Sequence, residues 1–388
     1  MASFAIERAF CWPEGHWDWY RHLAFKHGVR CGELIFVGGQ VDKTSAGEPL
    51  HVGDLQAQTA AVVAHLATVL AGFGATLADV TRLTAFYATD GSVREEDFIA
   101  DVGRHVTALG GAPDGLGPAI VAVPLPWLAL PGMRVEIEAI AMPGGAGARR
   151  ERRTTTVGPA LPPPFVHGVR CGAHVFIGGQ AVSAGTGFDA LTSALAALDA
   201  GADDLVRSGL WHRGSLDAAL ASHLDALECA TVILPTPRLP AALAARVDGW
   251  AMTGPSLARR ASNAPGDWCW PGRRGRTKAV GCGALVFVSG QLALDARGAA
   301  LHAGDLNAQT RLCMERTRAA LAAFGLDLDH MVRQNSFYLG AADPKDIVSN
   351  QTLRSSFYCE PAGASTGVPL TDFGIPGVMV SVDTVAMT

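Results

Sequence analysis

One segment of this chain is written three times: Val29 to Gln40 returns as Val169 to Gln180 and as Val280 to Gln291, at offsets of 140 and 251 residues. Each version opens on a valine, carries a cysteine and a glycine two and three residues on, and ends in Gly-Gly-Gln or Ser-Gly-Gln. A period near one third of 388 residues means three copies of one unit, and a repeat unit buries its apolar face against its neighbours. Chemistry is therefore to be sought between copies as well as within them.

The rest of the unit follows from the same alignment. Copy one continues through Gly53 to Thr59 and copy three through Gly304 to Thr310, where Asp54 and Asp305 are natural N-caps. The spacing of apolar residues predicts helices over Ala60 to Gly72 and Arg311 to Ala323, then strands over Val80 to Tyr87 and Met331 to Tyr338. Second helices are expected over Glu95 to Leu109 and Pro344 to Phe357. A closing strand recurs at Val135 to Met142, Ala245 to Met252 and Val380 to Met387. Strand alternation places Glu136 and Glu138 on one face, and one carboxylate recurs in every copy as Glu138, Asp248 and Asp383. Copy two is shorter by 30 residues, mostly around its first helix, because its carboxylate lies 110 residues after that of copy one while its glycine-rich segment lies 140 after. The three modules are expected at 1–145, 155–254 and 262–388, joined by connectors at Gly144 to Thr156 and Thr253 to Gly266. The Arg149 to Arg153 run in the first connector reads as solvated.

With 49% hydrophobic and 17% charged residues the chain is globular, and a net charge of −5 gives no electrostatic reason to expect nucleic acid. Its most apolar stretch, Ala119 to Met133, is broken by Pro124, Pro126 and Pro131, so no membrane span is expected. The N-terminus lacks the charge and apolar run of a signal peptide, which points to the cytoplasm. Eight cysteines form no C-x-x-C pair, and Cys31, Cys171 and Cys282 read as small buried residues. His16, His22 and His27 lack the spacing of a zinc site on a helix, and no phosphate-cradling glycine loop is present, so no cofactor and no metal are expected.

The Gly/Ser-Gly-Gln strands, the Ala-Gln-Thr helix and the Glu-Ile-Glu-Ala-Ile-Ala strand together resemble the RidA/YjgF superfamily of imine and enamine deaminases, over nearly the whole chain. The resemblance implies an α+β fold in which three tandem RidA-like, chorismate-mutase-like modules form a pseudo-trimer with a central β-barrel and outer helices, its sites in the clefts between modules. It implies a small-molecule substrate, and fusion of the three copies implies a monomer or homodimer. The family's arginine, in a Pro-Ala-Arg segment before the last strand, is missing from all three copies; copy three reads Pro361-Ala-Gly-Ala-Ser-Thr-Gly at that place. The family carboxylate maps to Glu138, Asp248 and Asp383, and its aromatic residue to Phe25, Phe165 and Arg276; Arg276 is the candidate replacement for the lost cation. The family asparagine maps to Asn350. Copy three, with Ser289, Asn350, Ser365, Thr366 and Asp383, has the richest polar set and is expected to hold the site.

The expected chemistry is hydrolysis of a small imine, enamine or cyclic amide. Asp383 or Glu138 would move protons beside Ser365 and Thr366, while the backbone N–H groups of Gly38, Gly39 and Gly290 hold substrate oxygen. Two rivals accompany this reading. One is a non-catalytic small-molecule or partner binder; the other is a ring opener of cyanuric-acid-hydrolase-like architecture, for which serine–lysine pairs are lacking. Gly363 to Gly367 matches G-x-S-x-G, but no histidine follows His330, so a serine hydrolase is set aside. Trp17, Trp19, Trp268 and Trp270 are expected to cover a barrel end or a cleft rim.

Overall fold

The structure is a computed structural model that describes residues 6–17, 20–144, 150–216, 218–255, 257–263, 268–270, 277–341 and 343–388. Trp19, Arg149 and Arg276 lie outside the described residues.

Three six-stranded mixed sheets share one topology. The first runs β1 (Arg8–Cys11), β2 (Gly28–Cys31), β3 (Leu34–Gln40), β6 (Val135–Ala141), β4 (Val80–Ala88), β5 (Ala119–Leu125). The second runs β7 (Arg153–Thr155), β8 (Gly168–Cys171), β9 (His174–Val182), β12 (Ala245–Met252), β10 (Leu205–His212), β11 (Ala230–Pro235). The third repeats it with β13 (Arg259–Ser262), β14 (Ala279–Cys282), β15 (Leu285–Leu292), β18 (Val380–Met387), β16 (Met331–Leu339), β17 (Ala364–Leu370). In each sheet only the last pair is parallel.

Helices cover the outer faces. In copy one these are α1 (Leu55–Ala71) and α2 (Glu95–Ala108), in copy two the short α3 (Asp189–Ala196) and α4 (Ala218–Ala226), and in copy three α5 (Leu306–Ala322) and α6 (Pro344–Ser355). Asp54 and Asp305 cap α1 and α5 as expected, accepting from the Ala57 and Ala308 N–H groups at 3.0 and 2.9 Å. The glutamine of each Ala-Gln-Thr segment turns inward: Gln58 donates to the Gly132 carbonyl and accepts from the Arg134 N–H, and Gln309 does the same with Gly377 and Met379. Each first helix is thereby tied to the approach of its closing strand.

The Gly-Gly-Gln motif is a bulge. Pairing of β3 with β6 shifts register between Val37 and Gln40, and pairing of β15 with β18 shifts between Val288 and Gln291. Gln40, Gln180 and Gln291 each turn back and donate to the carbonyl two residues earlier, at 2.9, 3.1 and 2.9 Å, which locks the kink. Adjacent copies meet here. A Cβ on Gly38 would lie 2.7 Å from the Ser365 carbonyl oxygen, and one on Gly178 2.6 Å from that of Ile120.

The expected central barrel is not closed. The sheets remain separate ladders, and among the described residues single bridges, Lys26 to Ala364 and Ala119 to Val166, are what cross between copies. The glycine bulges at the meeting points interrupt the ladder, and side chains join the copies beside a few backbone bonds such as that from the Ala362 N–H to the Ala24 carbonyl at 2.8 Å. Along the common axis Phe86, Trp211 and Phe337 form a triangle with ring centroids 5.7–6.1 Å apart. Farther along, Phe36, Phe176 and Phe287 share a core with the buried Cys31, Cys171 and Cys282.

A ring of buried ion pairs also links the three closing strands. Arg82 meets Asp248 at 2.7 Å, Arg207 meets Asp383 at 2.9 Å, and Arg333 meets Glu138 while also reaching Asp383 at 3.4 Å. Each arginine belongs to one copy's middle strand and its main carboxylate to the next copy's closing strand.

The connectors differ from expectation. They supply outer strands β7 and β13, and the arginine run is bonded to the modules: Arg150 pairs with Glu33, Arg152 donates to the Val80 carbonyl at 2.8 Å, and Arg153 pairs with Asp199 at 2.5 Å. No described helix is long and apolar enough to cross a membrane.

Candidate active site

The cleft between copy three and copy one is lined by Trp17, Tyr20, Phe25, Gly39 and Lys43 on one wall and by Ile347, Gln351, Ser365 and Gly367 on the other. Glu136 of β6 lies at its base, and the space open to water there is about 40 Å³, room for a few water molecules, so a larger ligand requires the two walls to part. Most of the wall is apolar, so the few polar groups decide what it can do.

Glu136 is the carboxylate of the cleft. Gly39 makes room for it, since a Cβ there would overlap the Glu136 carboxylate. Burial pushes its pKa up to about 8, with Glu138 adding to the rise while Lys43 and the Gly367 N–H oppose it. Lys43, three residues beyond β3, is pulled down by burial to about 8, against the pull of Glu136. Burial thus moves both groups toward neutrality, the acid upward and the amine downward.

Glu138, two residues on, points to the same side of the strand but reaches the axis instead. It accepts from Thr366 Oγ1 at 2.9 Å and Asn335 Nδ2 at 3.0 Å, besides pairing with Arg333. Burial alone would raise its pKa; the Arg333 guanidinium and these donors hold it low. Thr366 also accepts from the Gly39 N–H at 3.0 Å, and the Gly38 N–H donates to the His27 carbonyl at 2.9 Å. The two amides expected to hold substrate oxygen are therefore already engaged, that of Gly38 within copy one and that of Gly39 in joining copy one to copy three.

A guanidinium does lie behind the Ser365 wall of this cleft, and it comes from a place the missing Pro-Ala-Arg segment did not suggest. Arg354 of α6 is buried and donates through NH1 to Ser365 Oγ at 2.9 Å and Gln334 Oε1 at 3.0 Å, and through Nε to Asn350 Oδ1 at 2.9 Å. Its carbon Cζ lies 5.2 Å from the Phe25 ring centroid, and NH2 lies 3.8 Å from where a Cβ on Gly367 would be. Ser365, accepting from Arg354, keeps its own proton for a ligand. On the same wall, one turn before Arg354, Gln351 Oε1 is buried with no hydrogen-bond partner among the described residues.

Of the residues expected from sequence, Phe25, Gly38, Gly39, Ser365, Thr366, Glu138 and Asn350 come together at or just behind this cleft. Ser365 and Thr366 thus associate with Glu136 and Glu138, not with Asp383, which is fully buried in the ring and shared by Arg207 and Arg333. Ser289 and Gly290 belong to the cleft between copies two and three, where Ser289 Oγ accepts from the Thr231 N–H at 2.9 Å. Phe165 packs in the core of copy one. Trp17 lines the cleft. Gly363 to Gly367 opens β17 and makes no strand-to-helix elbow.

Sequence reasoning missed Glu136, Lys43, Gln351 and Arg354. Two signals were present: Glu136 shares a strand face with Glu138, and Arg354 follows Asn350 by one helical turn. Histidines play no acid role here. The buried His16 lies with its ring centroid 4.4 Å from that of the buried His27 and 4.6 Å from that of the half-buried His65, where burial and mutual repulsion hold His27 at about 3 and His65 at about 4.

The profile of the endoribonuclease L-PSP family matches residues 21–143 and 275–388, the two full-length copies. The chain belongs to this family, the RidA/YjgF family. The RutC family protein YjgH of Escherichia coli is 32% identical over 136 residues, which is 35% of this chain and 95% of that protein. Protein DfrA of Myxococcus xanthus is 41% identical over 64 residues, 16% of this chain and 49% of that protein. Among solved structures, a chorismatase superposes with a TM-score of 0.49 at 14% identity, covering 80% of this chain and 93% of its own. In this RidA/YjgF chain, the position of Glu136 is filled by Arg246 in copy two and Ser381 in copy three.

Proposed function

We propose that the protein is a cofactor-free hydrolase of small imines or enamines, acting at the cleft between copy three and copy one. The observation that carries this reading is Glu136, a carboxyl group held near pH 8 at the base of a largely apolar cleft. Such a group is protonated at neutral pH and serves as general acid for the departing nitrogen, then as base for incoming water. Gln351 Oε1 is an acceptor for the substrate N–H, and the Ser365 hydroxyl, ordered by Arg354, is a donor for a substrate oxygen. Cyclic amides remain within the same chemistry. One chain supplies both walls, so the reading needs no further subunit.

The test is ammonia release from a panel of small imines formed in place, with charged and uncharged side groups. Glu136→Gln, which mimics the protonated acid without its proton, is expected to reduce turnover by about 100-fold or more while leaving the melting temperature within a few degrees. A protein that binds these compounds but releases no ammonia with any of them would support the non-catalytic binder instead.

A further inference from the structure

We propose that Lys43 is a nucleophile that forms a covalent imine with the substrate carbon, so that hydrolysis passes through transimination. This deepens the hydrolase reading and rests on it.

The lysine is placed for that role by the fold. It follows the Gly-Gly-Gln bulge and is held by the bridge between Lys43 and Pro49, whose counterpart in copy three is the bridge between Leu294 and Ala300. Its side chain is 7% exposed and lines the same cleft as Glu136, beneath Trp17, with Nζ 6.0 Å from that ring centroid. The chain has three other lysines, and one of them, Lys26, is committed to a surface ion pair with Glu360 at 2.8 Å.

Comparison among the copies isolates the pair. Where copy one has Lys43 and Glu136, copy two has Ser183 and Arg246, and copy three has Leu294 and Ser381. A lysine serving only to fix the bulge would be needed in every copy, since all three carry the bulge. Amine and acid instead occur together in one cleft.

Desolvation supplies the reactive form. With Lys43 at about 8, roughly 200-fold more neutral amine is present near pH 7.5 than for an ordinary lysine. With Glu136 protonated and Lys43 neutral, the cleft holds an amine and a carboxylic acid together, the combination that imine exchange requires. The steps balance. Lys43 Nζ adds to the imine carbon, Nζ gives up a proton and Glu136 protonates the substrate nitrogen, which leaves as ammonia with its bonding electrons. The C=N bond now joins substrate to Lys43. Water then adds to that carbon, Glu136 accepts and returns the proton, and the C–N bond to Lys43 breaks to give the carbonyl product and free amine.

Borohydride trapping tests this on the whole, unmodified protein, with propanal and pyruvate as probes and peptide mass spectrometry as readout. We expect reduction-dependent alkylation at Lys43, faster than at Lys26, Lys278 or Lys345 by roughly 10-fold or more. Lys278 is as buried as Lys43, at 7% exposure, so it controls for burial alone; labelling of Lys43 no faster than of Lys26, Lys278 or Lys345 overturns the proposal, and the assay needs no turnover. Lys43→Arg, which keeps the cation but removes the nucleophile, is expected to reduce imine turnover by about 100-fold; unchanged turnover also overturns it. Glu136→Gln inactive with Lys43 unlabelled leaves the hydrolase reading standing and removes the covalent step. An adduct at Lys43 without ammonia release from any imine keeps the nucleophile and removes the hydrolase reading.

Discussion

The axis and the cleft are built from the same strand, two residues apart, and they obey opposite rules. At the axis, Glu138, Asp248 and Asp383 keep one chemical character in all three copies and each meets an arginine of another copy. At the cleft, the equivalent positions Glu136, Arg246 and Ser381 are an acid, a guanidinium and a hydroxyl. What repeats holds three modules around one axis; what diverges decides where chemistry can occur. Arg246 is bound to Glu95 at 2.5 Å and to the Ala122 carbonyl at 2.7 Å, and a guanidinium does not release a proton near neutral pH. A recurring carboxylate in a fused repeat thus reports on how the copies are joined, and on the proposed function its non-recurring neighbour is the one that marks the reacting cleft.

The sharpest way to break this comparison is to remove one member of the ring. Asp383→Ala takes the nearest carboxylate from Arg207, which keeps only Asp248 at 3.8 Å, while Arg333 keeps Glu138; loss of one partner from a buried pair costs about 3–5 kcal/mol, and these remaining contacts put the expected cost at the low end. The urea midpoint should fall accordingly, while turnover per folded molecule is unchanged. Asp383→Asn, nearly isosteric, gives a milder version that keeps the protein folded. Unaltered stability with lost turnover in either variant would return the proton-carrying role to Asp383 and dissolve the distinction between axis and cleft.

These two regions were unequally legible in the sequence. The repeat, the caps at Asp54 and Asp305 and the strands on either side of the helices follow from local spacing, and the fold reproduces them. Alternation also put Glu136 and Glu138 on one strand face correctly. It could not separate them, because the direction each carboxylate takes depends on Arg333 and Thr366, both about 200 residues away and brought close only when copy three docks on copy one. Arg354 was hidden for a related reason. A guanidinium can reach one point in space from a helix as well as from a loop, and a linear motif records only one of those routes. The pairing of Ser365 with Asp383 failed because copy membership is not cleft membership: each cleft takes one wall from each of two copies.

A second measurement sharpens the electrostatics of the cleft. Glu136 faces Lys43, Glu138, the Gly367 N–H, Tyr20 and Tyr338, and its raised pKa means that the proton is present below about 8 and lost above it. An activity that uses this proton should decline on the alkaline side of about 8 in kcat/KM. Lys43→Met removes the charge that favours the ionised carboxylate, so whatever activity remains should keep its alkaline limb to a higher pH. A limb that stays in place, or moves down, would mean that Glu136 does not govern it.

The smallest expected effect is the most direct check on cleft inequality. Ser381 occupies the Glu136 position in the cleft between copies two and three, where a Cβ on Gly290 would lie 2.7 Å from its Oγ, so the hydroxyl fills the space that a carboxylate fills beside Gly39. A serine hydroxyl does not ionise near neutral pH, and the neighbouring Ser289 Oγ is taken up by the Thr231 N–H and the Thr277 carbonyl at 2.9 Å each. This cleft therefore lacks the acid of the other, and Leu294 stands at the position of Lys43. Ser381→Ala should change imine turnover by less than about twofold, the level expected of a site uncoupled from the reacting one. A loss approaching that of Glu136→Gln would mean that two clefts work together, and that divergence at this strand position marks a division of labour between them instead of the retirement of one.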